Sequence, residues 1–146
     1  MSRVLVKLFR DHAKAEQAIR KLKSRGYTGA EIGVLVRDRA AWIEPIIRAN
    51  GIPVAEVELP GVGPAVALGP TALVLGEAGD AVTAEGALRQ GLGISHELYS
   101  LYEFGLFLGG VILSVHTGPD RIADARQILR EAKEAEATQR EAVAVR

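Results

Sequence analysis

The sequence predicts an α+β domain with a strand–helix–strand opening, a sheet of four or five strands and helices mainly on one face. Three observations lead there. Residues 3–9, RVLVKLF, alternate as a strand does, with Val4, Val6 and Leu8 on one side and Leu5, Lys7 and Phe9 on the other. Residues 11–26 carry Ala15, Ala18, Ile19 and Leu22 at helical spacing, with Asp11 as N-cap and Gly26 as terminator. Residues 31–38, EIGVLVRD, then form a short apolar run of strand length. A right-handed crossover would make the first two strands parallel.

The remaining elements follow from punctuation and period. Residues 39–51 read as a short helix interrupted by Pro45, with Trp42 and Ile46 one turn apart, and residues 52–60 as a weakly alternating strand. Residues 61–76, GVGPAVALGPTALVLG, hold no charge, yet Gly and Pro occupy seven positions between Leu59 and Gly76. A membrane helix of about 20 apolar residues does not tolerate that punctuation. Gly61-Val62-Gly63 begins a G-x-G-x-x-G pattern, but Val66 stands where the third glycine belongs, and no G-K-[ST] follows, so neither phosphate loop fits. The stretch reads instead as two strands, Ala65–Leu68 and Ala72–Leu75, with Gly-Pro turns before each. A helix is expected from about Thr83, and a second over residues 95–108 with Ser95 as N-cap. Residues 111–117 form the last strand, and Pro119 opens a closing helix with the stripe Ile122, Ala125, Leu129 and Ala132. Residues 1–130 are expected to form one domain, with 131–146 a helical extension or frayed tail.

Composition narrows the function classes. The 146 residues include no cysteine, which excludes disulfides, thiolate metal sites and a cysteine nucleophile. Arg3, Lys7 and Arg10 interrupt the apolar N-terminal segment, so no secretory core fits there and a cytoplasmic location is expected. Net charge is zero but unevenly spread: residues 1–48 hold 11 Lys/Arg against 5 Asp/Glu, and residues 49–146 hold 7 against 13. The first helix carries Lys14, Lys21 and Arg25, a candidate nucleic-acid face, although a pI near 6.8 argues against one.

No catalytic constellation emerges. HELYS at 96–100 falls one histidine short of the H-E-x-x-H zinc motif, with Ser100 in the second position. His12 and His116 lack an evident partner for acid–base work, and adjacent Ser95 and His96 do not make a nucleophile–base pair. No enzyme, metal or cofactor is expected. The 95–108 helix is apolar nearly all round, so its second face is expected to meet another subunit, with a dimer favoured. Tyr99, Tyr102, Phe104 and Phe107 are the candidate interface residues. The alternative is a small-molecule regulatory domain with its ligand near Gly61, Gly63, Gly69 and Tyr99.

Several segments together carry a family resemblance: VLVKLFRDHAKAEQAIRKLKSRGYTGAEIGVLVRD, PGVGPAVALGPTALVLG and GISHELYSLYEFGLFLGGVILSVHT, followed by the ARQIL helix. They resemble the bacterial heat-induced, general stress protein 17M-like family, with Tyr102-Glu103, Gly105 and the Gly109-Gly110 doublet at its Y-E-x-G…GG positions. The glycine-rich middle of many relatives is reduced here to a short run. The resemblance implies a ferredoxin-like α+β sandwich and an association with stress. It supplies no catalytic residues.

Overall fold

The computed structural model describes residues 3–37, 54–59, 62–76 and 92–145. In chain order they form β1 (Arg3–Phe9), α1 (His12–Ser24), β2 (Ile32–Arg37), β3 (Val54–Leu59), β4 (Gly63–Leu68), α2 (Pro70–Gly76), α3 (His96–Phe107), β5 (Val111–Thr117) and α4 (Ile122–Val145). The helix expected over 39–51, the helix from about Thr83 and Gly61 lie outside the described residues.

Local chemistry sets the element ends. Asp11 caps α1 by accepting the Ala13 N–H at 2.9 Å. Gly26 ends that helix with φ +90°, while Tyr27 N–H reaches back to the Leu22 carbonyl. Ser95 caps α3 through the Leu98 N–H. At the other end Gly109 N–H bonds Leu106 O and Gly110 N–H bonds Gly105 O, the paired closure of a helix that stops on a left-handed glycine.

The five strands form one antiparallel sheet in the order β1-β5-β2-β4-β3. β1 and β2 run in the same direction, as the crossover predicts, but they are not neighbours: β5, the last strand in sequence, lies between them. Alternation then sends side chains into two cores. Phe9, Val34, Val36, Val66, Leu68, Val111, Leu113 and Val115 pack with Leu22 of α1 and Leu129 of α4. Leu35, Ala65, Ala67 and Ile112 pack on the other side with Ala72 of α2 and with Tyr99 and Leu106 of α3.

Two sequence expectations are corrected. Helices cover both faces of the sheet rather than mainly one, because β2, β4 and β5 present apolar side chains on both sides and each side needs a cover. The segment expected to be a strand at Ala72–Leu75 is helical: Pro70 takes the first helical position, where its missing N–H costs nothing, and a short apolar run does not by itself distinguish strand from helix. The closing helix continues unbroken to Val145. Its Lys133 ammonium donates to the Leu8 carbonyl at 2.5 Å and lies over the Phe9 ring, so it packs against β1 beyond residue 130.

The turn from β4 into α2 depends on Gly69. Its φ is +67°, and a Cβ there would stand 2.3 Å from the Ile32 carbonyl oxygen. Gly63 has φ +97° but nothing within 4 Å of the same position. Gly63→Ala is therefore expected to cost only the left-handed backbone penalty, roughly 1–2 kcal/mol. Gly69→Ala should cost clearly more, because backbone must also move. Urea midpoints of the two variants check this order.

Candidate functional site

α3 crosses the second face of the sheet over β1, β5 and β2. Tyr99 and Leu106 turn inward, with Tyr99 only 7% exposed, and Tyr102 is half-buried beside them. Burial raises the Tyr102 phenol above its ordinary value. Gly105 lets the helix come down onto β1, since a Cβ there would meet the Leu8 side chain at 2.4 Å.

The opposite side of the helix is apolar and open. Leu98, Leu101, Phe104, Phe107 and Leu108 are all exposed, Phe104 to 61% and Leu108 to 65%. Together with Leu73 they are the exposed large hydrophobic side chains among the described residues. The four residues singled out in the sequence thus divide: Tyr99 belongs to the core, Tyr102 straddles its edge, and Phe104 and Phe107 face outward. Phe107 is also tied within the chain, with Arg37 over its ring at 4.9 Å and donating to its carbonyl at 2.7 Å. Leu98, Leu101 and Leu108 complete the surface at spacings of three and seven, a pattern hidden in the sequence by the nearly uniform apolarity of the helix. Beside α3 a recess of about 70 Å³ opens over Gly105, walled by Leu8, Arg10, Leu101, Phe104 and Leu108.

Of the proposed ligand positions, Gly63, Gly69 and Tyr99 line neither this recess nor the groove of about 190 Å³ between α1 and α4. Gly63 and Gly69 stand at opposite ends of β4, and the special geometry of Gly69 serves the turn into α2.

A polar cluster that sequence reading missed lies within the second core. Ser114 Oγ is 2.9 Å from His116 Nε2 and 3.2 Å from Thr71 Oγ1. Gly33 makes room for all three: a Cβ there would fall 2.3 Å from the Thr71 hydroxyl and 2.4 Å from that of Ser114. The S-x-H spacing on a strand signals that two of them share a face. Thr71 carried no such signal, because its segment reads as a strand. Ser114 is 1% exposed, so its hydroxyl can hold α2 to the sheet but presents no nucleophile to a substrate.

A second network closes one end of the molecule. Glu31 accepts the Thr28 N–H, the Thr117 hydroxyl at 2.9 Å and the Arg121 guanidinium at 3.3 Å. Burial pushes the Glu31 carboxyl up, but those hydrogen bonds and the Arg121 charge outweigh it and hold the group below its usual value. Arg121 also lies 4.0 Å over the Tyr27 ring, and Tyr27 donates to the Arg121 carbonyl. Basic side chains at the C-terminal end of α1 and at its C-cap face carboxylates of α4: Lys21 pairs with Glu131 at 3.8 Å and Arg25 with Asp124 at 2.7 Å. Part of the charge asymmetry along the sequence is therefore spent within the fold.

The His96 side chain lies outside the described part of the molecule, and no group of three metal-ligating side chains gathers among the described residues. No helix there is long and apolar enough to cross a membrane. Compared with protein-family models, curated proteins and solved structures, the chain finds no match.

Burial holds the His116 imidazole below its usual 6.5. The unfolded chain then takes up this proton more readily than the folded one, so stability falls as pH drops from about 6.5 toward the folded value. Above that window His116 contributes no pH dependence. Chemical denaturation across pH should show this loss in the unsubstituted chain, and His116→Gln should remove that component of the slope.

Proposed function

We propose that this chain is a non-enzymatic, cytoplasmic interaction module associated with stress, and that it works as a dimer formed through the outer face of α3. One observation carries the reading: a helix whose inner face completes a core leaves Leu98, Leu101, Phe104 and Leu108 in solvent on the other side. Contiguous exposed apolar surface of this kind marks interaction sites on soluble proteins. The burial of the Ser114 hydroxyl, 1% exposed, supports the non-enzymatic part. The stress association rests on the sequence resemblance alone. The split β1-α1-β2 unit with a strand inserted between its two strands supports a ferredoxin-like ancestry, and the helices on the second face are then an addition to it.

Phe104→Glu tests the reading. A symmetric interface removes the same side chain twice, and each buried phenylalanine contributes about 1.5–3 kcal/mol, so dimer affinity should fall by roughly 100-fold or more. Light scattering should report a monomer for this variant at concentrations where the parent chain is a dimer. Because Phe104 is exposed in the single chain, its circular dichroism should be unchanged.

A further inference from the structure

β1 is an outer strand of the sheet, and its backbone alternates between inward and outward hydrogen bonding. On β5 the His116 N–H bonds the Glu31 carbonyl, so β5 aims the backbone of its even-numbered residues at β2 and of its odd-numbered residues at β1. Arg3, Leu5, Lys7 and Phe9 stand opposite the odd set and spend their N–H and C=O groups inward. Val4, Val6 and Leu8 therefore turn theirs outward. The Leu8 carbonyl agrees, since it accepts from Lys133 of α4 rather than from β5. No hydrogen bond joins the outer side of Val4 or Val6 to another described residue.

The side chains along this edge differ by face. Arg3 and Lys7 are exposed on the α1 and α4 side, and neither meets a carboxylate among the described residues. Arg20, Lys21, Arg25 and Arg121 all do. Between the two cations Val4, Leu5 and Val6 are only half-buried, although they pack against the two cores. A strand edge with unpaired N–H and C=O groups is a template for a further strand. Residues directly opposite each other in a sheet share a face. A strand laid antiparallel along β1 would thus set one residue opposite each of Arg3 and Lys7, and three between them opposite Val4, Leu5 and Val6. Acidic residues at the two ends would meet the cations, and apolar residues at the three inner positions would complete the burial of β1. A second copy's β1 is the poorer occupant, because pairing Val4 with Val6 sets Arg3 against Lys7. Lys133 closes the Leu8 end.

We propose that the outer edge of β1 binds an extended segment of a partner protein, with an acidic residue at each end of three apolar ones, as a further strand of the sheet. The site uses the backbone of β1 and not the outer face of α3, so it stands or falls independently of the dimer.

The probe is a fluorescein-labelled peptide with the core Glu-Val-Val-Val-Glu, titrated with the full chain and read by fluorescence anisotropy. Saturable binding that weakens as salt rises is expected. Replacing both glutamates by lysine should weaken it roughly tenfold or more. N-methylation of the first and third valines, which face Val6 and Val4, should abolish it, because those N–H groups enter the ladder. In the chain, Arg3→Glu combined with Lys7→Glu should reverse the preference, so that the lysine peptide binds more tightly. Both positions are exposed, and circular dichroism should be unchanged. No binding, equal binding of the two peptides, or binding that survives N-methylation would each overturn the proposal. The peptide comparisons use the unsubstituted chain and decide the matter even where the double variant fails to fold.

Discussion

Strand β5 lies between β1 and β2 and packs apolar side chains against helices on both sides, and this double burial governs much of the rest of the architecture. Val111, Leu113 and Val115 belong to the core with α1 and α4, whereas Ile112 belongs to the core under α2 and α3. A strand buried on both faces cannot lie on a one-layer cover. It also arrives last: β1 and β2 cannot complete their pairing until the chain beyond residue 110 has returned to them. The Glu31, Thr117 and Arg121 contacts then lock the end of β5 to the start of β2 and the start of α4.

Among the described residues the second face is covered more sparingly than the first. α1 and the 24-residue α4 lie together over one side. On the other side α2 is only 7 residues long, and its attachment is helped by the Thr71–Ser114–His116 hydrogen bonds above Gly33. α3 supplies Tyr99 and Leu106 to that core. A helix with apolar residues around nearly its whole circumference spends only part of them on the sheet, and the remainder form the surface proposed for self-association. The same constraint thus accounts for the second layer of helices and for its exposed leucines and phenylalanines.

The parts of this fold that are legible in the sequence are those with a clear period and a clear stop. β1, α1 and β2 announce themselves through alternation, the Asp11 cap and Gly26, and α4 through its stripe of Ile122, Ala125 and Leu129. The 70–76 segment is not legible in this way: its apolar run fits either period, and the Pro70 signal for a helix start competes with the use of proline at strand edges. α3 is legible as a helix, but which of its residues face outward is not. Uniform apolarity gives no moment, and only packing against Leu8 through Gly105 fixes its rotation. The Ser114–His116 pair lay in plain view at strand spacing, whereas Thr71 could join it only once its segment was known to be a helix. Placing β5 between β1 and β2 required long-range pairing that no local pattern encodes.

Whether α3 presents an interface to a second copy is read from the solution mass of the unsubstituted chain over a wide concentration series. A dimer through α3 gives a mass twice that of the 15.6 kDa chain, falling to the single-chain value on dilution. A single-chain mass at every concentration would contradict it and leave the outer face of α3 without the partner assigned to it here.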